Sequence, residues 1–191
     1  MTTHNRLFPV FLKLSGRSVL VVGAGPVAAS KLAALSEAGA EIHVVAPTIH
    51  PEIERIGVRL SRREFRPSDL EDIWLVVTAA NPGVNQHVAK EAERRRVFVN
   101  AVDDPGHASA YLGGVTRRAG VTFAISTEGR APALAGLLRE GLDALLPEAD
   151  LEAWMAEAAA MRTQWRHDGV PMAERRPLLL RALMKRYDIE V

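Results

Sequence analysis

The stretch from Ser18 to Ala29, SVLVVGAGPVAA, constrains the fold of this 191-residue chain more than any other. A valine-rich run of strand length stops at Gly23-Ala24-Gly25, and helical spacing begins at once. Gly23 permits a tight turn, Gly25 lets a ligand approach the backbone, and Ala28 is small enough for close helix–strand packing. The helix N-terminus then offers unpaired N–H groups and a positive dipole end to a pyrophosphate. This is the dinucleotide fingerprint in its G-x-G-x-x-A form, following a strand and opening a helix as the motif requires. The alternative is a tight strand–helix turn that holds no ligand.

The alternation of strand and helix continues. The first helix is expected over about Val27 to Ala38, with Val27, Leu32 and Leu35 near one face and Gly39 as its cap. Glu41 to Ala46 reads as a second strand stopped by Pro47, which completes a right-handed βαβ unit. Val58 to Phe65 fits a partly exposed strand, Ser68 to Asp72 a short acidic helix, and Ile73 to Thr78 a buried strand. A helix through Val88 and Ala92 ends in Arg94-Arg95-Arg96, and Val97 to Val102 is a further core strand. The pattern predicts an α/β, Rossmann-like parallel sheet with helices on both faces. After Pro105 it changes. Ser109 to Thr116 and Val121 to Ser126 read as an antiparallel pair, and Pro132 opens a long helix through Leu146. From Asp150 the chain is helical, with a break at Gly169-Val170-Pro171. The expected organisation is a nucleotide-binding domain over residues 1–112, a strand-and-helix region over 113–147, and a helical C-terminal region over 148–191.

Composition narrows the function. With 24 basic and 23 acidic residues and few aromatics, the chain has no global attraction for nucleic acid. It has no cysteine, which excludes disulfides and thiolate chemistry, and its histidines are scattered without metal-ligand spacing. Leu7 to Leu14 reads as an extended entry segment, too short and too broken by Pro9 and Lys13 for a signal peptide or a membrane span. No metal site, no membrane association and a cytoplasmic location are expected.

Three places can carry chemistry. Gly23 and Gly25 form the candidate cofactor turn. The second strand ends in Val45-Ala46-Pro47-Thr48, where NAD-preferring folds usually hold Asp or Glu, and no arginine follows to grip a 2′-phosphate. Thr48 either offers its hydroxyl or merely turns the chain with Pro47; the pattern leans toward NAD over NADP. Thr78 ends a strand at the carboxyl edge, where open sheets place their ligands; Asn81 and Asn85 serve either contact or turn. Asn100-Ala-Val-Asp103-Asp104-Pro105 brings a carboxylate to the same edge. A substrate that gives up a hydride must also lose a proton, and a partly desolvated carboxylate can take it. Position alone leaves Asp103 and Asp104 as candidates, against turn capping. Arg130, just ahead of a helix start, can help bind a carboxylate in concert with the dipole.

Taken together these segments resemble the precorrin-2 dehydrogenase family, the amino-terminal domain of siroheme synthases. The matching parts are Leu7 to Leu12, Val22 to Lys31, Asn100 to Pro105, Ile125 to Ala135, Leu137 to Glu140 and Leu145 to Pro147. The resemblance implies an NAD-dependent oxidation of precorrin-2, a polycarboxylate tetrapyrrole, to sirohydrochlorin on the way to siroheme or cobalamin. It implies a homodimer in which the region after the nucleotide domain serves dimer contact and substrate cleft. The family's catalytic Asp falls on Asp103, through the pattern Asn100, Asp103, Pro105; its cofactor contacts fall on Pro26-Val27 and Pro47-Thr48. Asn100, Ser126, Thr127 and Arg130 then become substrate-binding candidates. Asp104 departs from the small residue usual there. The methyltransferase domain of larger siroheme synthases has no counterpart in this sequence. Some relatives also insert iron, so a bifunctional dehydrogenase and ferrochelatase is one alternative, and an NAD-sensing regulatory module, needing no carboxylate, is another.

Overall fold

The computed structural model describes residues 7–187. The chain divides into two compact units that meet at Leu112 and Gly113 in sequence. The first is built on a parallel sheet of β1 (Ser18–Val22), β2 (Glu41–Val45), β3 (Arg59–Ser61), β4 (Leu75–Thr78) and β5 (Phe98–Ala101), in the order β3-β2-β1-β4-β5. Its helices are α1 (Pro26–Glu37), the single turn α2 (Pro51–Glu54) and α3 (Pro82–Arg95). Successive β1 side chains feed opposite faces, as the pleat requires. Val19 and Val21 pack with Ala28, Leu32 and Leu35 of α1, while Leu20 and Val22 pack with Val88, Ala89 and Ala92 of α3. Leu20, Leu32 and Val77 are fully buried, and each such side chain contributes about 1.5–3 kcal/mol.

This is the expected Rossmann-like sheet, with differences at its margins. Ala28, not Val27, completes the buried face of α1, because the helix starts at Pro26 and sets Ala28, Leu32 and Leu35 at i, i+4, i+7; Val27 is exposed. Gly39 does follow the helix in the left-handed region, at φ +72°. The acidic helix is one 3-10 turn, Pro67–Leu70. Residues 109–112 are not strand: the amides of Ser109 and Ala110 both donate to Val99 O, which folds this stretch back over β5.

The second unit begins with a hairpin, β6 (Gly114–Arg118) and β7 (Val121–Ile125). Ala119 and Gly120 join the strands, both at positive φ, the signature of a type I′ turn. Helix α4 (Pro132–Leu145) lies on the hairpin so closely that a Cβ on Gly114 would stand 3.1 Å from Ala135 O. Thr116 Oγ1 donates to Asp143 Oδ1 at 2.6 Å, and Arg139 pairs with the same carboxylate. Helices α5 (Glu148–His167) and α6 (Met172–Lys185) follow, broken at Gly169 to Pro171 as expected. Trp154 Nε1 donates to Tyr187 Oη, which donates to Asp150. No helix among the described residues is long and apolar enough to cross a membrane.

Candidate active site

The chain leaves β1 toward β2 on one side and reaches β4 on the other, so a crevice opens at the carboxyl ends of these strands. Gly23 fills its floor at φ +98°; a Cβ there would lie 2.3 Å from Ala79 O, so only glycine fits. The turn is stitched on both sides. Gly23 N donates to Val45 O, Ala79 N to Val22 O, and His50 N to Ala24 O. That last bond holds the exposed Pro47-Thr48 turn beside the glycines.

Gly25 is the opposite case. It is the N-cap of α1, in extended conformation, and a Cβ on it would meet nothing within 4 Å. No side chain caps this helix and no acidic residue stands in its first turn, so its first N–H groups and dipole face open space. Pro26 and Val27 are exposed at its rim. An open cradle of backbone donors with an unneutralised positive end fits the pyrophosphate of a dinucleotide.

Several predicted residues are committed elsewhere. Thr78 is fully buried, and its hydroxyl donates to Asn85 Oδ1 at 2.6 Å. The same oxygen accepts from Ala80 N at 2.9 Å, so Asn85 braces the end of β4 from below. Asn81 Oδ1 accepts from Val84 N and caps α3. These groups shape the crevice rather than present side chains to it. Asn100 is likewise buried, and its Nδ2 donates to Ala110 O at 2.9 Å. Its amide anchors the loop after β5, which the sequence pattern alone could not distinguish from a ligand contact.

Asp103 follows β5 at the carboxyl edge and adopts the left-handed conformation at φ +58°. It is exposed, so the chain by itself does not supply the partial desolvation expected of it. Asp104 is engaged by its neighbour: both its oxygens lie 2.8–2.9 Å from His107 Nδ1. The D-x-x-H spacing across a proline-initiated turn was the available signal.

Ser126, Thr127 and Arg130 belong to the second unit, in the turn ahead of α4. Ser126 Oγ accepts from Glu128 N and Thr127 Oγ1 from Ala131 N, so both hydroxyls order the turn while keeping a donor hydrogen. Arg130 is largely exposed, 3.4 Å from Glu128. Away from these places, Arg63 forms a two-pronged pair with Asp69, near His43. Burial opposes ionisation of Asp69, but the Arg63 fork and Arg66 N–H outweigh it and hold its carboxyl below the usual range. Burial first, then Arg59, lowers His43. Among the described residues no group of three or more His, Asp or Glu is arranged to hold a metal ion.

Residues 10–114 match a protein-family model described as "Putative NAD(P)-binding". The chain is 40% identical over 173 residues to Siroheme synthase 3 of Aeromonas hydrophila subsp. hydrophila, covering 88% of this chain and 37% of that protein. It is 39% identical over 163 residues to Siroheme synthase of Zymomonas mobilis subsp. mobilis, covering 83% and 34%. It thus spans about a third of the length of these relatives. Among solved structures it is similar to SirC, precorrin-2 dehydrogenase, with a TM-score of 0.70 and 29% identity over 92% of this chain and 88% of that one.

Proposed function

Since the chain belongs to the NAD(P)-binding family that its residues 10–114 match, we propose that it oxidises precorrin-2 to sirohydrochlorin with NAD as hydride acceptor. One conjunction supports this above all. The glycine turn after β1 and the exposed Asp103 after β5 stand at the same edge of one sheet, on strands that flank β4. The likeness to a precorrin-2 dehydrogenase over nearly the whole chain supplies the substrate.

When bound, NAD takes two electrons and one hydrogen from the tetrapyrrole as hydride. The second hydrogen leaves as a proton, and Asp103 takes it as general base and returns it to solvent. Gly23 sets the turn, Gly25 leaves room, and the first amides of α1 hold the pyrophosphate beside Pro26 and Val27. Thr48 serves the adenosine ribose through the Pro47-Thr48 turn; no acidic residue stands there, and no arginine follows at once to favour NADP. Cofactor binding is assigned to residues 1–112. Ser126, Thr127 and Arg130 are assigned to the substrate's carboxylates, which their donors suit. Dependence on NAD, a cofactor kept inside cells, assigns the reaction to the cytoplasm.

An exposed apolar face on the second unit supports assembly as a homodimer. Its α4 carries a stripe of exposed leucines at Leu134, Leu137, Leu138 and Leu145, an apolar face that a second copy would cover. The regions 113–147 and 148–191 are therefore assigned to dimer contact and to completing the fold.

Anaerobic incubation with precorrin-2 and NAD, following NADH and the sirohydrochlorin spectrum, tests the function. The parent turns over, and a folded Asp103→Ala loses about 100-fold or more in kcat, the usual worth of a general base. Tight NAD binding without turnover would favour a sensing module.

A further inference from the structure

We propose that His107 and Asp104 form a clasp that orients Asp103, and that His107 is a positioning residue for the reaction; this rests on Asp103 being its base. Asp103 sits at φ +58°, a conformation that a non-glycine residue keeps only when its surroundings enforce it. Upstream, Val102 N donates to Thr78 O at 3.0 Å and ties the turn to β4. The far end of the loop is also stitched down. Ser109 N and Ala110 N donate to Val99 O, Ser109 Oγ accepts from Val99 N, and Tyr111 Oη donates to Pro105 O.

The junction just after Asp103 has less. There the Asp104 amide reaches back to Ala101 O, at 3.3 Å. What closes it is the side-chain clasp, His107 Nδ1 donating to both Asp104 oxygens, over the backbone bond from His107 N to Asp104 O. Pro105 between them fixes one torsion. Asp104, the residue that departs from the family's small one, is thereby accounted for: both its carboxylate oxygens are engaged by His107. The other side of the His107 ring lines an open groove of about 650 Å³ with Gln86, His87 and Lys90. The ring is not packed into a core, so removing it deletes the clasp without leaving a buried void.

The test uses the full chain with His107→Ala, His107→Asn and Asp103→Ala. Asn carries an N–H donor at the same branch position as Nδ1. Amide hydrogen exchange of residues 103–108 is read without ligand, and kcat and KM are measured with precorrin-2 and NAD. In His107→Ala, exchange speeds up about threefold to tenfold, as loss of one exposed pair allows. The kcat falls about tenfold from misplacement of the base, KM for NAD stays within twofold, and His107→Asn restores both. Unchanged exchange overturns the clasp, and faster exchange with full kcat overturns its positioning role. Failure of His107→Asn to restore lost kcat makes the imidazole itself catalytic. A parent without turnover, with exchange still faster in His107→Ala, refutes the dehydrogenase and leaves the clasp standing. Full activity in Asp103→Ala refutes the base and the positioning role with it.

Discussion

Replacing Gly23 and Gly25 by alanine, one at a time, separates the fold from the cofactor site. At Gly23 the new methyl would lie 2.3 Å from Ala79 O and 2.6 Å from Ala79 C, where ordinary contact begins at 3.4 Å. The obstacle is backbone in the β1–β4 ladder, so the peptide has to move by about 1 Å. A non-glycine residue in the left-handed region costs about 1–2 kcal/mol, and overpacking of this kind about 1–3 more. Gly23→Ala is therefore expected to lose about 2–5 kcal/mol. Hydrogen exchange of the β1 and β4 amides reads this sheet by itself, and their protection should fall by about 30-fold or more.

Gly25→Ala meets open space and an ordinary φ of −88°, so the same amides should be protected nearly as in the parent. Its methyl fills the cradle instead. Losing the better part of one charge-assisted backbone bond costs about 2–3 kcal/mol, or about 30- to 150-fold in Kd for NAD by calorimetry. If Gly25→Ala binds NAD as the parent does, the pyrophosphate is not held at this helix start. If Gly23→Ala keeps full protection, the steric reasoning is wrong.

Other outcomes are as specific. Asn85→Ala leaves the buried Thr78 hydroxyl and Ala80 N–H without their acceptor, a cost of about 2–3 kcal/mol that urea unfolding should report. His43 and Asp69 both have folded-state pKa values below their ordinary values of 6.5 and 3.8. In both, the unfolded chain binds more protons as pH falls, so stability is full above about pH 6.5 and declines in two stages, for His43 below 6.5 and for Asp69 below about 4. Arg63→Met should flatten the second stage, and an unchanged acid limb in a pH series of melting curves would refute it. Leu137→Glu should convert a dimer to a monomer in light scattering, and a parent that is already monomeric would sink the homodimer.

What was legible in the sequence was mostly backbone. The glycine turn, the βαβ alternation, the hairpin at Ala119-Gly120 and the Pro132 helix start each depend on a residue's own torsional preferences, so local pattern suffices. Val27 was misjudged because helix phase depends on where the first turn begins, and a shift of one residue moves the buried face to Ala28. Residues 109–112 were read as strand because apolar content was weighed without the partner. The Ser109 and Ala110 amides both go to a single carbonyl, Val99 O, which no window of sequence shows.

Side-chain roles were harder for a related reason. Thr78, Asn81, Asn85 and Asn100 all lie near the carboxyl edge of the sheet, and each is hydrogen-bonded within the protein: Thr78 to Asn85, and the three asparagines to main-chain atoms of Val84, Ala80 and Ala110. Short polar residues gather at that edge for two purposes, and only tertiary placement separates them. Once the committed groups are set aside, the first unit presents backbone amides at α1, the Pro47-Thr48 turn and the Asp103 carboxylate. A cofactor held mainly by main chain needs no charged partner at Gly25, which is why the glycines carried so much of the signal. The proposed reaction needs one group free to exchange a proton. The loop after β5 meets that need by spending Asp104 on His107 and leaving Asp103 exposed.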